Sequence, residues 1–136
     1  MREIDKIIIH CSATPEGVHF DASRIDKWHR DRGWSGIGYH YVILLDGTIE
    51  YGRDIEKTGA HTQGHNTGSI GICYIGGMDK EMKSSKDTRT DAQKDSLLLL
   101  LKTLKRFHPD AKIYGHRDFS SKSCPSFDAK TEYENL

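Results

Sequence analysis

Two histidines and one cysteine stand where they could jointly hold a metal ion. His10 ends a short β-branched run, His116 follows a second apolar run, and Cys124 lies in a Ser-Cys-Pro-Ser loop. Two imidazoles and one thiolate are an accepted ligand set for catalytic zinc, which keeps a fourth position open. Taken singly, a strand-end histidine is more often structural and a buried cysteine packs as a small apolar side chain. The prediction therefore depends on the two strands lying side by side.

The strands that would position these side chains follow from apolar patterning. Residues 4–11 form a short β-branched run that is nearly all apolar at its centre, which is typical of a central strand buried on both faces. Residues 111–115 predict the last strand, which delivers His116. Side chains at the ends of central strands often lie in a ligand crevice. His10 is therefore a candidate by position as well as by type.

Two helices are predicted from capping signals and periodicity. The first covers residues 21–32, with Asp21 as its N-cap. The second covers residues 90–107 and begins with the capping-box pair Thr90 and Gln93. The residues of this second helix that we expect to face the core are Leu97, Leu98, Leu101 and Leu104.

A β-hairpin is predicted around Asp46-Gly47, a strong turn signal between the β-forming residues 39–45 and 48–51. Residues 60–68 are rich in Gly, Asn, Thr and His, so we expect an irregular loop. Residues 69–75 predict a further strand after that loop.

The chain is expected to form a single domain over residues 1–136 with an α/β fold, a central mixed β-sheet flanked by helices. At this length one core can bury about 68% of the unfolded surface. Residues 76–89 carry mixed charges and almost no apolar side chains, which predicts a mobile, solvated excursion from that core.

Composition excludes several classes of protein. Twenty Lys and Arg balance twenty Asp and Glu, so neither a basic nucleic-acid binder nor an acidic disordered tail fits. Three cysteines, an odd number, argue against a disulfide framework.

The apolar run at residues 97–101 is far shorter than the roughly 20 residues that span a bilayer, and the amino terminus lacks the apolar region of a secretion signal. We expect synthesis in the cytoplasm without a signal peptide, no nucleic-acid partner and no membrane insertion.

Seven short motifs occur in a characteristic order between residues 7 and 128. They are His10-Cys11-Ser12-Ala13-Thr14, Gly38-Tyr39-His40-Tyr41, Asp46-Gly47-Thr48, Gly59-Ala60-His61, Asn66-Thr67-Gly68-Ser69-Ile70-Gly71, Gly115-His116-Arg117-Asp118 and Cys124-Pro125-Ser126-Phe127-Asp128. With this set the sequence resembles the zinc-dependent type 2 N-acetylmuramoyl-L-alanine amidases, especially their phage T7 lysozyme-like branch. More distantly it resembles the peptidoglycan recognition proteins.

The resemblance implies a hydrolase that degrades bacterial cell wall, as endolysins and autolysins do. Its substrate would be the amide bond between N-acetylmuramic acid and L-alanine in peptidoglycan, and its cofactor one Zn²⁺ per chain. It would act as a monomer, after release from the cell or non-classical export. The implied residues are the metal ligands His10, His116 and Cys124, the catalytic residues Tyr39 and Lys122, and the substrate contacts His61 and Asn66.

Two of the implied residues have roles that chemistry suggests. Lys122 lies two residues before Cys124 and suits stabilisation of the oxyanion in a tetrahedral intermediate. Tyr39 could orient the water or the carbonyl, or pass a proton to the leaving amine, and the sequence leaves these roles open. Residues 112–124 hold three cations against Asp118, so anionic stem peptides would meet a positive site. The remaining candidates are His65 in the substrate groove, Cys11 and Cys73 as bystanders, and His19, His29, His40 and His108 as surface or structural residues.

Three alternative functions stay open from the residues themselves. A thiol hydrolase would use Cys124 as nucleophile and His116 as base, and it would not need His10. A non-catalytic peptidoglycan-binding module would not need the cysteine ligand. A purely structural zinc site would normally use four protein ligands.

Overall fold

The computed structural model describes residues 2–136. The elements in chain order are β1 (Lys6–Cys11), β2 (Thr14–Pro15), α1 (Ala22–Asp31), β3 (Tyr41–Ile43), β4 (Ile49–Tyr51), β5 (Ser69–Tyr74), β6 (Gly77–Met78), α2 (Asp91–Phe107), β7 (Lys112–Gly115) and α3 (Ala129–Glu132), with a 3₁₀ turn at His116–Asp118. No helix among the described residues is long and apolar enough to cross a membrane.

A mixed five-stranded sheet organises the molecule, with strand order β4-β3-β5-β1-β7. The central strand β1 runs parallel to both neighbours, and its Ile9 lies opposite Ile72 of β5 and Gly115 of β7. Only β4 is antiparallel, and it is joined to β3 by the predicted Asp46-Gly47 turn. The predicted α/β fold with a mixed central sheet is therefore confirmed.

The two faces of the sheet are covered by different helices. On one face Ile7, Ile9 and Cys11 pack in a cluster with leucines of α2, with Phe127 and with Ala129 of α3. On the other face Val42, Cys73 and Ile75 pack with Ile25 of α1. Because side chains alternate along a strand, His10 points to the face opposite Cys11.

The capping signals are confirmed at both long helices. The Asp21 carboxylate accepts a hydrogen bond of 3.0 Å from the backbone N–H of Arg24. At α2 the side chains of Thr90 and Gln93 form a complete capping box. The predicted inward set of α2 was wrong at one position, because Leu98 is 37% exposed whereas Leu100 is buried. At 100° per residue, Leu98 falls outside the stripe of residues 97, 100, 101 and 104.

The expected solvated excursion over residues 76–89 was wrong at both of its ends. At its start β6 pairs with β2, and at its end Thr88 and Arg89 are buried. The Arg89 guanidinium donates hydrogen bonds to Asp87 and Glu132 and lies 3.4 Å from the ring centroid of Phe127. A charged segment looks solvated in sequence, but here its arginine is neutralised by the neighbouring Asp87 and by Glu132, which the fold brings near.

Candidate metal centre and substrate cleft

The three predicted ligands meet at one edge of the sheet. His10 is the fifth residue of β1, and His116 directly follows β7, the parallel neighbour of β1. Since parallel strands end at the same edge, residues 106 positions apart become neighbours, with ring centroids 4.6 Å apart. Cys124 joins them, and one ligand atom from each of the three residues lies within 4.8 Å of the others. The arrangement can hold a metal ion.

Hydrogen bonds hold the loop that carries Cys124 against the sheet. The backbone N–H of Cys11 donates to Cys124 Sγ over 3.2 Å, and Arg117 N–H donates to the Cys124 carbonyl over 2.7 Å. A Cβ atom at Gly115 would lie 2.8 Å from Cδ of Pro125, so this position needs glycine. The thiol is thus positioned by backbone groups that neighbour both histidine strands.

A second loop brings His61 against His10. The Asn66 side-chain oxygen accepts hydrogen bonds of 2.8 Å from the backbone N–H groups of His61 and Thr62. This places His61 Nδ1 at 2.9 Å from His10 Nε2. A Cβ atom at Gly71 would lie 2.6 Å from the His61 ring, so the ring needs glycine at that position. The Gly-rich loop is therefore ordered around the imidazole.

The predicted catalytic and substrate residues border one cleft of about 580 Å³. Tyr39, Lys122, His61 and Asn66 all line it together with His116. The ring of Tyr39 lies 5.0 Å from that of His10, centroid to centroid. His65 is absent from the described lining and its ring packs on Phe119 at 4.1 Å. The other described lining residues are His29, Arg32, Trp34, Ala60, Thr62, Gln63, Phe119 and Ser120, none of them acidic.

Burial controls the protonation of the site. It lowers the pKa of His10 well below its usual value, with His61, His116 and Lys122 acting in the same direction. Burial also lowers the pKa of His61 to about 3, so both rings are neutral near pH 7 and can act as ligand or acceptor. Burial raises the pKa of Tyr39 well above its usual value, which keeps the phenol protonated.

The Cys124 thiol responds to its neighbour. Its hydrogen bond with the Cys11 thiol, together with burial, raises the pKa of Cys124, whereas the hydrogen bond from the Cys11 backbone N–H lowers it. A bound cation would act in the opposite direction, because thiolate is the form that ligates metals. Cys11, which the sequence predicted to be a bystander, contacts Cys124 through both its backbone N–H and its thiol, although its side chain leaves β1 on the face opposite His10.

Two histidines that the sequence left as surface or structural residues are structural. His29 Nδ1 accepts a hydrogen bond of 2.9 Å from Gly38 N–H, and His40 Nδ1 accepts one of 3.0 Å from Gly71 N–H. Sequence reasoning missed Arg32, Trp34 and Thr62 as cleft residues. For Arg32 and Trp34 the only sequence signal was their position just after α1, because the end of that helix lies at the cleft.

Comparison with known proteins agrees with this geometry. The N-acetylmuramoyl-L-alanine amidase family matches residues 1–127. The endolysin of Escherichia phage T7 is 42% identical over 130 residues, which cover 96% of this chain and 85% of that protein.

Two solved structures share the fold. The N-acetylmuramoyl-L-alanine amidase LysC from Clostridium intestinale superposes with a TM-score of 0.82 at 30% identity, over 96% of this chain and 82% of that chain. A mutant of Drosophila PGRP-LB in complex with tracheal cytotoxin superposes with a TM-score of 0.80 at 25% identity, over 100% and 83% of the two chains. The chain therefore belongs to the N-acetylmuramoyl-L-alanine amidase family, and it is a peptidoglycan-cleaving amidase.

Proposed function

We propose that this amidase works with one Zn²⁺ held by His10, His116 and Cys124, and that it acts as a monomer with residues 1–136 as its catalytic domain. The observation that carries the proposal is the convergence of these three ligand atoms within 4.8 Å. They lie beside a cleft that also contains Tyr39 and Lys122.

The chemistry of the donor set fits zinc. Two neutral imidazoles and one sulfur match a catalytic zinc site, which takes three protein ligands and keeps one position open. The Cys11 N–H directed at Cys124 Sγ supports a thiolate, because a hydrogen-bond donor stabilises negative charge on sulfur. A structural zinc site, which normally has four protein ligands, is less consistent with this arrangement, since among the described residues only these three ligands cluster here.

The protein residues around the cluster would carry the remaining steps. When bound, zinc would supply the Lewis acidity that activates water and polarises the scissile carbonyl. Lys122 lies on the cleft wall, and its positive charge helps to lower the pKa of both His10 and His116. From there its ammonium group would stabilise the oxyanion of the tetrahedral intermediate. Tyr39, held protonated, would orient the carbonyl or the water and donate a hydrogen bond.

The cleft suits an anionic, partly apolar muramoyl-peptide. Arg32 and Lys122 supply positive charge, and the described lining contains no carboxylate that would repel a stem-peptide carboxylate. Trp34 and Phe119 supply aromatic surface for the sugar or for peptide methyl groups. Asn66 accepts the loop hydrogen bonds through Oδ1, which leaves its amide nitrogen for the substrate. The complex of a related recognition protein with tracheal cytotoxin supports a ligand of this class.

The central test is amidase activity on purified peptidoglycan, measured by release of the peptide amino group, with and without a chelator. We expect the wild-type protein to lose activity in the chelator and to regain it with added Zn²⁺. The Cys124→Ala variant should lose both zinc and activity. Its matched control is Cys73→Ala, which removes a buried thiol in the middle of β5, outside the ligand set, and should keep zinc.

The same assay separates zinc catalysis from the thiol hydrolase. A thiol nucleophile at Cys124 would remain active in a chelator and would be abolished by an alkylating reagent. It would also tolerate His10→Ala, whereas the zinc site would not. Chelator-resistant activity in wild type would therefore exclude the proposed role of zinc.

A further inference from the structure

We infer that His61 and Ser69 are positioning residues that fix the proton of His10 on Nε2 and so direct its Nδ1 lone pair to the metal. The inference rests on the proposed function and deepens it, since it assigns the ligand atom of His10. It also gives His61 a role that does not require contact with the substrate. The inference is supported by a series of hydrogen bonds that runs from His10 through His61 and Ser69 to the backbone carbonyl of Asn66.

The direction of donation along this series of hydrogen bonds is set at its far end, where Ser69 meets the Asn66 carbonyl. The Ser69 hydroxyl lies 3.0 Å from the carbonyl oxygen of Asn66, and a carbonyl can only accept. The single hydroxyl hydrogen of Ser69 is therefore used in that bond. Ser69 Oγ also lies 3.2 Å from His61 Nε2, so in this second contact it must accept. His61 therefore carries its ring proton on Nε2.

The next step assigns the proton of His10. A neutral imidazole with its proton on Nε2 has a lone pair on Nδ1. His61 Nδ1 lies 2.9 Å from His10 Nε2, and two lone pairs facing each other at this distance would repel. His10 must therefore donate from Nε2. Thr62 Oγ1, at 3.2 Å from the same nitrogen and 2.9 Å from His61 Nδ1, can share in this bond.

The surroundings leave the His61 ring little freedom to turn. A Cβ atom at Gly59 or at Gly71 would lie 2.6 Å from His61 Cδ2, so both glycines allow the backbone to close on the ring. Ser69 is fully buried and Thr62 is 1% exposed, which keeps water from replacing either hydroxyl. Outer groups that hold a ligand histidine in one tautomer commonly contribute to metal affinity. His61 and Ser69 are placed to act in this way.

The first test reads the tautomers directly. Long-range ¹H–¹⁵N spectra of the imidazole side chains in the zinc-loaded protein should show the ring proton on Nε2 of both His10 and His61. The metal-free protein should show the same two tautomers, because the series of hydrogen bonds is anchored at the Asn66 backbone carbonyl and not at the ion. A ring proton on Nδ1 of either residue would overturn the inference.

The second test measures zinc affinity by competition with a chromophoric chelator. We expect His61→Ala and Ser69→Ala each to weaken zinc binding roughly 10- to 100-fold. In His61→Asn the amide oxygen can take the place of the Nδ1 acceptor, so affinity should stay within about threefold of wild type. If Asn weakened binding as much as Ala, the acceptor role of His61 would be wrong.

The matched control is His65→Ala, which removes a histidine four positions along the same loop. Its ring packs on Phe119, and zinc affinity should be unchanged. Failure of the proposed function is distinguishable, because a wild-type protein that binds no zinc would refute the zinc site. The tautomers of His10 and His61 in that same sample would still decide the inference.

Discussion

The Tyr74 hydroxyl donates a hydrogen bond of 2.7 Å to the carbonyl oxygen of Pro125, the residue that follows the proposed ligand Cys124. Tyr74 ends β5 and is 1% exposed. A bond between a buried strand and a surface loop transmits the rigidity of the sheet to the thiol. The position of Cys124 thus depends on the hydrophobic core as well as on its own loop.

Tyr74→Phe removes this hydroxyl and leaves the Pro125 carbonyl without its partner. We expect the free energy of unfolding to fall by about 1–2 kcal/mol, because an unpaired buried acceptor keeps its desolvation cost. Zinc affinity should fall as well, since the loop is held less tightly. Denaturant unfolding and chelator competition measure the two effects. Tyr51→Phe, at an 82% exposed position, is the control and should change neither.

Lys122→Ala should separate catalysis from metal binding. The lysine is exposed and lies outside the ligand set, so we expect full zinc content. Turnover should fall by roughly 10²–10³, the usual effect of removing one group that stabilises an oxyanion. Metal analysis and kcat on purified peptidoglycan measure the two quantities, with Lys102→Ala on the exposed side of α2 as control. A fully active Lys122→Ala protein would refute its oxyanion role.

Arg89→Met should destabilise the whole protein. Arg89 joins Asp87 and Glu132 in ion pairs of 2.9 Å and donates to the Tyr133 hydroxyl over 2.8 Å. Its loss leaves two carboxylates facing each other without their cation. We expect a decrease of about 2–3 kcal/mol in the free energy of unfolding, since the carboxylates are partly solvated. Urea denaturation measures it, and Arg106→Met on the exposed face of α2 should have little effect.

The buried imidazole of His29 predicts a loss of stability in mild acid. Burial, assisted by Arg32 and Arg53, lowers the pKa of His29 to about 4, compared with about 6.5 in an unfolded chain. Because the folded pKa is the lower one, the contribution is complete above about pH 6.5 and is lost as the pH falls toward 4. The loss attributable to this residue is at most about 3 kcal/mol.

The measurement for His29 is the free energy of unfolding from pH 4 to pH 8. His29→Asn keeps an acceptor for Gly38 N–H but does not titrate, so its pH profile should be flatter than that of wild type. His19→Asn, on an exposed loop, should leave the profile as it is. Equal slopes for His29→Asn and wild type would show that His29 does not carry this dependence.

Local signals were enough to predict most elements. The capping box of Thr90 and Gln93, the N-cap Asp21 and the Asp46-Gly47 turn all act within a few residues, so their effect can be read along the chain. The errors fell where contacts are distant. Leu100 rather than Leu98 lies in the core because the direction of α2 against the sheet sets which stripe is buried. Arg89 is buried beside Glu132, which is 43 positions away in sequence, so the chain alone does not identify this partner.

The sequence by itself determined the donor types and the family motifs that bear them. His10, His116 and Cys124 were identified as candidates because imidazole and thiolate are metal ligands wherever they stand. Their convergence was decided by the parallel pairing of β1 with β7 and by the return of the Cys124 loop to Cys11. The tautomer of His10 was likewise decided only by the fold. The function of an ionisable side chain depends on its distance from the other groups of the site. Residues far apart in sequence come within such distances of one another only in the folded chain.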